Sequence, residues 1–509
     1  MGVSEFYFFK DYFEYMGFPH LNDTDFEFCD VFGLTLGCTK VQYIVGMKNA
    51  HPVAPPNTRP VYSNVAFTLL MYAVGLQTGQ TYSSFLYEYI TGPLNMWNTY
   101  PSPGVFDEAV VPPVANSWGF WFGAATPGGG LVSSLADLST FLHGILTYTI
   151  FDNPARVREW LQPHSFTGSP HSYFGMPWEI FRPPPQAVFP DYDAETETGG
   201  HTLTIYSKDG AASGYRARIS SIDEYGIGLV LLAAGDAAAV TVINDAMLRV
   251  LVTAVDKTAR EQVEEQGYPG IFTGHCSESS FNATIKLDDH SLILESMYRN
   301  GKDILVGLYD FFSLTYGSLI PNYYPGDVLR LYPTDITVQS RVGGRTVIKE
   351  DWRFVWDVRR GSKPSDLPGA GASSYDCLAW EGVDWMYYGS ESIDRLVFVK
   401  DPDTGEVLNL EVPFLRSIGS QNPDMDCPEP EDEEVPDELV EPGKGASEDG
   451  SEGEVEVEGT ERQSGNDTVE GTGNDGAAER QEKNEGDKEE VEENQGVEPT
   501  GKVMANSHE

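Results

Sequence analysis

The sequence predicts an α+β domain over residues 1–265, an all-β domain over 266–420 and a disordered acidic tail over 421–509. Three observations carry this reading. In the first segment, apolar residues recur at helical spacing between runs of strand character. In the second, short alternating runs are separated by Gly, Asp and Pro. In the third, Glu, Gly, Asp and Asn dominate, and almost no aromatic or large aliphatic residue is left to offset the entropy of ordering.

Taken in order, residues 62–72 form a helix with Phe67, Leu70 and Met71 on one side and Gly75 near its end. Ser134-Leu-Ala-Asp137 has the form of a capping box, a serine followed three residues later by an acid. Leu135, Leu138, Phe141, Leu142, Ile145 and Leu146 then define one apolar helix face. Residues 203–206, 215–221 and 226–234 are consecutive strands. Short turns at Asp209-Gly210 and over 223–226 make them antiparallel neighbours. A long helix over 237–265 follows, with Val242, Met247, Val250, Leu251 and Ala254 on its inner face. Beyond it, 284–287, 291–295, 352–356 and 396–400 alternate as in a sandwich or small barrel, with no helix of consequence.

Charge narrows the partners. Lys and Arg number 33 against 78 Asp and Glu, a formal net charge of −45. The 82 residues from Pro428 onward hold 28 acids and 6 bases, and the 427 before them hold 50 and 27. Neither part supplies the clustered cations that release counterions from a phosphate backbone, so nucleic acid is not an expected partner. An anionic membrane surface is disfavoured on the same ground. No apolar run approaches the roughly 20 residues of a membrane span. The N-terminus as written shows no basic stretch or cleavage site of a secretory leader, and Phe6 stands where myristoylation needs Ser or Thr.

Five cysteines make no CxxC and nine histidines no HExxH, so neither a metal nor another cofactor is expected. Cys29 and Cys38, with sequons at Asn22 and Asn282, suit an oxidising compartment. Reduced thiols in a cytosolic protein account for the cysteines equally well. Compartment and oligomeric state stay open.

Several short stretches then stand in order. They are Pro60-Val-Tyr62-Ser63-Asn64, Pro127-Gly-Gly-Gly-Leu131 ahead of the capped helix, Gly175-Met-Pro-Trp-Glu179, and Ser207-Lys208-Asp209-Gly210 ahead of Ser213-Gly214-Tyr215. Each alone has an ordinary role as a helix start, a cap, a glycine turn or a solvated lysine. Together, over roughly residues 20–260, they resemble the serine β-lactamase and penicillin-binding-protein-like family. The likeness is greatest to its class C-type fungal members, which carry an extra C-terminal β domain. The β domain here is similar in placement, which extends the resemblance to about Ser417.

The resemblance implies a β-lactamase/transpeptidase-like fold, an antiparallel sheet with helices, and a serine acyl-enzyme mechanism. It assigns Tyr62 as the acid/base, Lys208 as the cation and Asn64 as the group that positions substrate and lysine. Asp209, Gly210 and Ala211 fall on the substrate-binding edge, with the Ala211 N–H beside the oxyanion. Trp178, Glu179 and Gly128, Gly129 and Gly130 keep structural roles. The physics is coherent. A phenol, with an ordinary value near 10, works as a base only where an ammonium stabilises its phenolate. A glycine beside the strand lets backbone donors reach a developing oxyanion. The implied substrate is a small-molecule ester, lactone or amide, and fungal relatives of this kind can sit in secondary metabolism.

Two departures from the family pattern follow. No serine stands three residues before any lysine, Thr346-Val-Ile-Lys349 being the nearest miss, and no Gly-x-Ser-x-Gly replaces the motif. In the family the nucleophile lies well ahead of Tyr-x-Asn, so the chain is expected to begin inside the fold and to lack its N-terminal part. The expectation is a β-lactamase-like hydrolase, of esterase, amidase or acyl-transferase type, whose Ser-x-x-Lys is absent from these residues. The alternative is an inactive or repurposed binding or accessory protein. The second departure is Asp209, where many relatives carry Thr or Ser. A carboxylate there repels a substrate carboxylate and favours a neutral ester, lactone or thioester.

Overall fold

Ser63 starts the first helix that matters to the site, α1 (Asn64–Thr78), and its hydroxyl accepts the Ala66 N–H at 3.1 Å. The helix stops at Gly79, whose φ of 74° is the left-handed conformation a C-terminal glycine supplies. The computed structural model describes residues 10–22, 39–48, 51–104, 109–196, 198–236, 238–276, 279–319, 323–360 and 383–422. The tail read as disordered and the pair Cys29 and Cys38 lie outside the described residues. α1 buries Val65 and Thr68, while Phe67 and Leu70 are exposed, so the side assigned from sequence faces outward. The helix is apolar nearly all round, and periodicity then selects no face.

The short α2 (Thr126–Gly129) precedes α3 (Leu135–Leu146), which is capped by Ser134 accepting the Asp137 N–H at 3.2 Å. Asp137 does not close the capping box. Its carboxylate accepts the Asn98 N–H at 2.8 Å and the Thr99 hydroxyl at 2.7 Å, tying a loop to the helix start. Leu142 and Ile145 are buried, with Val157 and Leu161 of α4 (Pro154–Leu161).

Six strands follow one another in an antiparallel sheet: β1 (Ser165–Phe166), β2 (Ser172–Phe174), β3 (Glu179–Phe181), β4 (Ile205–Ala212), β5 (Tyr215–Ile222) and β6 (Ile227–Ala234). The β4–β5 turn is Ser213-Gly214, with Gly214 at φ 76°, and Asp209-Gly210 runs straight through β4. Asp-Gly is a strong local turn signal. Here the cross-strand pairs Asp209 with Arg218 and Gly210 with Ala217 override it.

α3 and α4 cover one face of the sheet through Leu142, Ile145, Val157, Leu161, Trp178 and Ile180. The long helix α5 (Ala239–Glu265) covers the other, packing Leu248 and Val252 on Leu203, Ile205 and Ile222. Its buried stripe is Val240, Asn244, Leu248 and Val252, whereas Val242 and Val250 are exposed. The inner face expected from sequence is thus rotated. Two apolar stripes share this helix, and burial follows the one with an asparagine in it.

α5 leads into a second antiparallel sheet in sequence order: β7 (Gly270–Cys276), β8 (Ser279–Leu287), β9 (Leu292–Arg299), β10 (Tyr323–Val342), β11 (Arg345–Arg360), β12 (Arg395–Lys400), β13 (Val407–Val412) and β14 (Ser417–Gly419). The sheet closes on itself. Thr273 and Ser420 exchange two backbone hydrogen bonds of 2.9 Å, and a side chain at Gly274 would strike the Ile418 carbonyl. The expected sandwich or barrel is therefore a barrel. Phe272, Met297, Leu331, Leu396, Phe398 and Leu410 fill it. The absence of a helix expected here is corrected by α6 (Ile304–Leu319), which packs Ile304, Leu305 and Leu308 on that core. Its Asp303 carboxylate accepts the Val306 N–H at 3.1 Å.

A polar junction links the two sheets through α5. The Tyr225 hydroxyl donates to Asp256 at 2.9 Å and lies 3.0 Å from Nε2 of His201. Asp256 accepts from Arg260 at 3.0 Å, and Arg260 donates to the Asp288 carbonyl of the barrel at 2.8 Å. Burial holds the His201 imidazole below its ordinary value, with Arg260 and His290 acting the same way and Asp256 opposing them.

Two outcomes follow. Phe398→Ala empties the space against Tyr268, Trp352 and Phe272 and is expected to cost about 3–5 kcal/mol in a urea unfolding curve. For His201 the unfolded chain takes up the proton first. Stability is full above the unfolded value of about 6.5 and falls as pH drops below it toward the folded value. Thermal unfolding at about pH 7.5 and about pH 5.5 should show a smaller acid loss in His201→Asn than in the parent.

Candidate active site

The site forms where the start of α1 approaches β4, with α2 between them. Gly128 of α2 has no side chain, and a Cβ there would lie 2.5 Å from the Asn64 carbonyl and 2.7 Å from the Thr68 hydroxyl. That absence lets α2 seat on the first turn of α1 while its other side rests on β4. Asn64, the first residue of α1, and Tyr62, two residues ahead of it, are thereby brought to the strand that carries Lys208.

Lys208 has three partners. Its ammonium donates to the Glu179 carboxylate at 2.7 Å and to the Asp209 carbonyl at 3.0 Å, and it lies 5.2 Å from the centre of the Tyr62 ring. The last contact is a cation–π arrangement, of the order of 0.5–1 kcal/mol where solvent reaches it. Lys208 and Glu179 are about three-quarters buried, and Tyr62 is 55 % exposed, so the phenol edge stays open to a ligand.

Strand alternation separates Lys208 from its neighbour. Ile219, the partner of Lys208 across β5, packs with α3 and α4. Asp209 turns to the opposite face, where both of its oxygens are held by Arg218, one of them at 2.6 Å, and where Asp245 of α5 is near. The Asp209 carboxylate is thus neutralised and directed away from Tyr62.

The backbone of β4 supplies the remaining feature. β3 pairs only with Ile205, Tyr206 and Ser207, so from Lys208 onward the outer edge of β4 has no strand partner among the described residues. The Gly235 N–H donates to the Gly214 carbonyl at 2.9 Å, which fixes the alternation of hydrogen-bonded pairs across the sheet. By that alternation Asp209 and Ala211 turn their backbone groups to the open edge. Lys208 uses the Asp209 carbonyl, and the Ala211 N–H points out beside exposed Gly210.

Tyr62 and Lys208 are therefore brought together, with Asn64 at the adjoining helix start and Gly210 and Ala211 along the same edge. Asp209 is diverted. Sequence reasoning missed Glu179, held there as structural, and Arg218. The only signal for either was an opposite charge on a neighbouring strand. Among the described residues no group of three or more His, Cys, Asp or Glu is placed to hold a metal, and no helix is long and apolar enough to cross a membrane.

Comparison with known proteins accords with this architecture. Residues 22–254 match the family profile "Beta-lactamase", and residues 259–420 match "Beta-lactamase-like-like, C-terminal domain". A β-lactamase-like protein of Arthroderma benhamiae is 38 % identical over 430 residues, covering 82 % of this chain and 70 % of that protein. A probable hydrolase, clz13, of Cochliobolus lunatus is 26 % identical, covering 74 % of this chain and 57 % of its own length. This chain thus spans between about half and two-thirds of that relative and somewhat more of the first. A β-lactamase/D-alanine carboxypeptidase from Yersinia pestis aligns at a TM-score of 0.35 with 21 % identity, covering 47 % of this chain and 66 % of that one. The fold is that of the β-lactamases and transpeptidases, joined to a C-terminal barrel. The chain belongs to the β-lactamase-like family.

Gly128→Ala is expected to force α2 off the first turn of α1, at a cost of about 1–3 kcal/mol. A lowered melting temperature together with changed fluorescence quenching of the site region by acrylamide is the readout. An unchanged melting temperature would show that α2 does not seat there.

Proposed function

We propose that this site handles the acyl group of a small, neutral ester, lactone or amide, as in a hydrolase of esterase, amidase or acyl-transferase type. The observation that carries the reading is the Lys208 ammonium over the Tyr62 ring, in a chain whose family includes hydrolases. Tyr62 is the acid/base, Lys208 stabilises its phenolate, and Asn64 positions the substrate. The Ala211 N–H, with Gly210 beside it, faces the developing oxyanion. The matched relatives are fungal, and a place in fungal secondary metabolism is part of the same proposal.

The preference for a neutral substrate rests on pairing. The Lys208 charge is matched by Glu179, and Arg218 is committed to Asp209, so a substrate carboxylate competes with a resident one for either cation. This replaces direct repulsion by Asp209 as the physical ground for that preference.

A second reading has its own observation. No Ser-x-x-Lys occurs in the 509 residues, and without an activated serine these groups bind and polarise an acyl carbonyl but form no acyl-enzyme. In that case the chain is a binding or accessory protein. A fluorophosphonate or fluorescent-penicillin probe separates the two. Unlabelled protein favours the binding or accessory reading, and a label mapped to a serine near Tyr62 would establish an activated nucleophile and favour the hydrolase.

Under either reading, tryptophan fluorescence should show saturable binding of a neutral alkyl ester. Lys208→Met should weaken it about tenfold, or ~1.4 kcal/mol, and the corresponding free acid should bind less well than the ester. Failure to saturate with any ester, lactone or amide would sink the site assignment.

A further inference from the structure

The stretch Gly175-Met-Pro-Trp-Glu179, structural by its sequence, ends on the carboxylate that meets Lys208. It is a tight turn between β2 and β3, closed by the Gly175 N–H donating to the Trp178 carbonyl at 2.8 Å. A Cβ at Gly175 would stand 3.1 Å from that of Trp178, closer than side chains normally pack. Trp178 is buried with its ring 4.9 Å from that of Trp160, whose indole N–H donates to the Met176 carbonyl at 2.7 Å. From the neighbouring strand the Ser207 hydroxyl donates to the Glu179 carbonyl at 3.0 Å. The backbone of Glu179 is thus fixed from two sides, and its side chain is delivered to one place.

Among the described residues Glu179 is the carboxylate that binds the Lys208 ammonium. An ammonium has three N–H groups. Glu179 takes one and the Asp209 carbonyl a second, which leaves one, among the described residues, for a ligand beside Tyr62. A single N–H suffices for a neutral carbonyl oxygen. A ligand carboxylate at the same place meets a cation whose charge is already matched and a resident carboxylate of its own sign. Asp209 has no such effect on this side, because both of its oxygens are bound to Arg218 on the opposite face. Glu179 acts on both cations: after Asp209, it is among the carboxylates that hold the Arg218 guanidinium above its ordinary value.

We propose that Glu179 selects ligand charge at this site, as a positioning residue that works through Lys208 to admit a neutral acyl carbonyl and refuse a carboxylate. The inference rests on the reading of the site as one for neutral esters, lactones or amides, and it assigns the discrimination to one side chain. It also fixes the direction of change. Removing the Glu179 charge without altering its shape leaves a largely buried ammonium with no ionic partner, and such a group recruits an anion. The site then accepts the free acid that the parent excludes.

Tryptophan fluorescence titrations with an alkyl ester and with its free acid, in the parent and in Glu179→Gln, test this. Glutamine keeps an oxygen that accepts from Lys208 and loses the charge. The ratio of acid to ester affinity should rise about tenfold, through the acid, and the gain should shrink as salt is raised. Glu179→Asp should return the ratio toward that of the parent. Lys208→Met placed on Glu179→Gln should abolish the gain, a coupling that a merely structural role of Glu179 does not produce. Glu179→Ala, which also removes the charge, decides the matter if circular dichroism shows the glutamine variant unfolded. If the parent saturates with ester and the folded uncharged variant still refuses the acid, the selection by Glu179 is overturned while the site stands. A gain for the acid in Asp209→Asn as large as that in Glu179→Gln overturns it too, because the discrimination then comes from the Arg218 side. If neither ligand binds to either protein, the reading of the site falls and the selection falls with it.

Discussion

A largely buried ammonium is tolerated only where its charge is answered, and the first domain is arranged around answering that of Lys208. β3 begins at Glu179, opposite Ser207, and runs away from Lys208, so among the described residues the edge is open from Lys208 onward while Glu179 itself delivers the matching carboxylate. The Asp209 carbonyl, already directed to that edge by the hydrogen-bond alternation, takes a second proton of the ammonium. Tyr62 lies over the ammonium from the helix side with its phenol open, positioned through a glycine contact between α2 and α1 that leaves no room for a methyl group.

The same sheet shows how neighbouring residues acquire different work from alternation alone. Lys208 and Asp209 are adjacent in sequence, yet one faces α3 and α4 and the other faces α5. Arg218 claims the second as fully as Glu179 claims the first. The consequence is a site of two closed ion pairs and an open phenol. Its chemistry rests on hydrogen bonding and on the orientation of an ammonium already held in place.

Much of this was legible in the sequence, and what was not has definite causes. The order of the motifs singled out Tyr62 and Lys208, which lie together in space, and Asn64, which is the first residue of the adjoining helix. The capping serine at 134 and the strands of the first sheet are local features. Helix faces were not legible for α1 and α5, since both are apolar around most of their circumference and burial is then decided by partners distant in sequence. The Asp209-Gly210 turn failed because pairing with β5 outweighs a dipeptide preference. α6 escaped because two Phe, two Tyr, one Ile and one Val stand among its sixteen residues, and these score as strand formers. Glu179 needed the register of β3 on β4, which a single sequence does not carry.

The barrel closes between Thr273 and Ser420, which stand at the opposite ends of its sequence. At that seam the Gln421 amide also donates to the carbonyls of Gly267 and Pro269, at 2.7 and 3.3 Å. Contacts between residues so far apart must bear the loop-closure entropy of everything between them, and folding rates fall accordingly. On the ribosome, β7 emerges early but cannot complete its ladder until the last strand has been synthesised. The lactamase-like sheet, whose strands pair in chain order, is free to form in that interval.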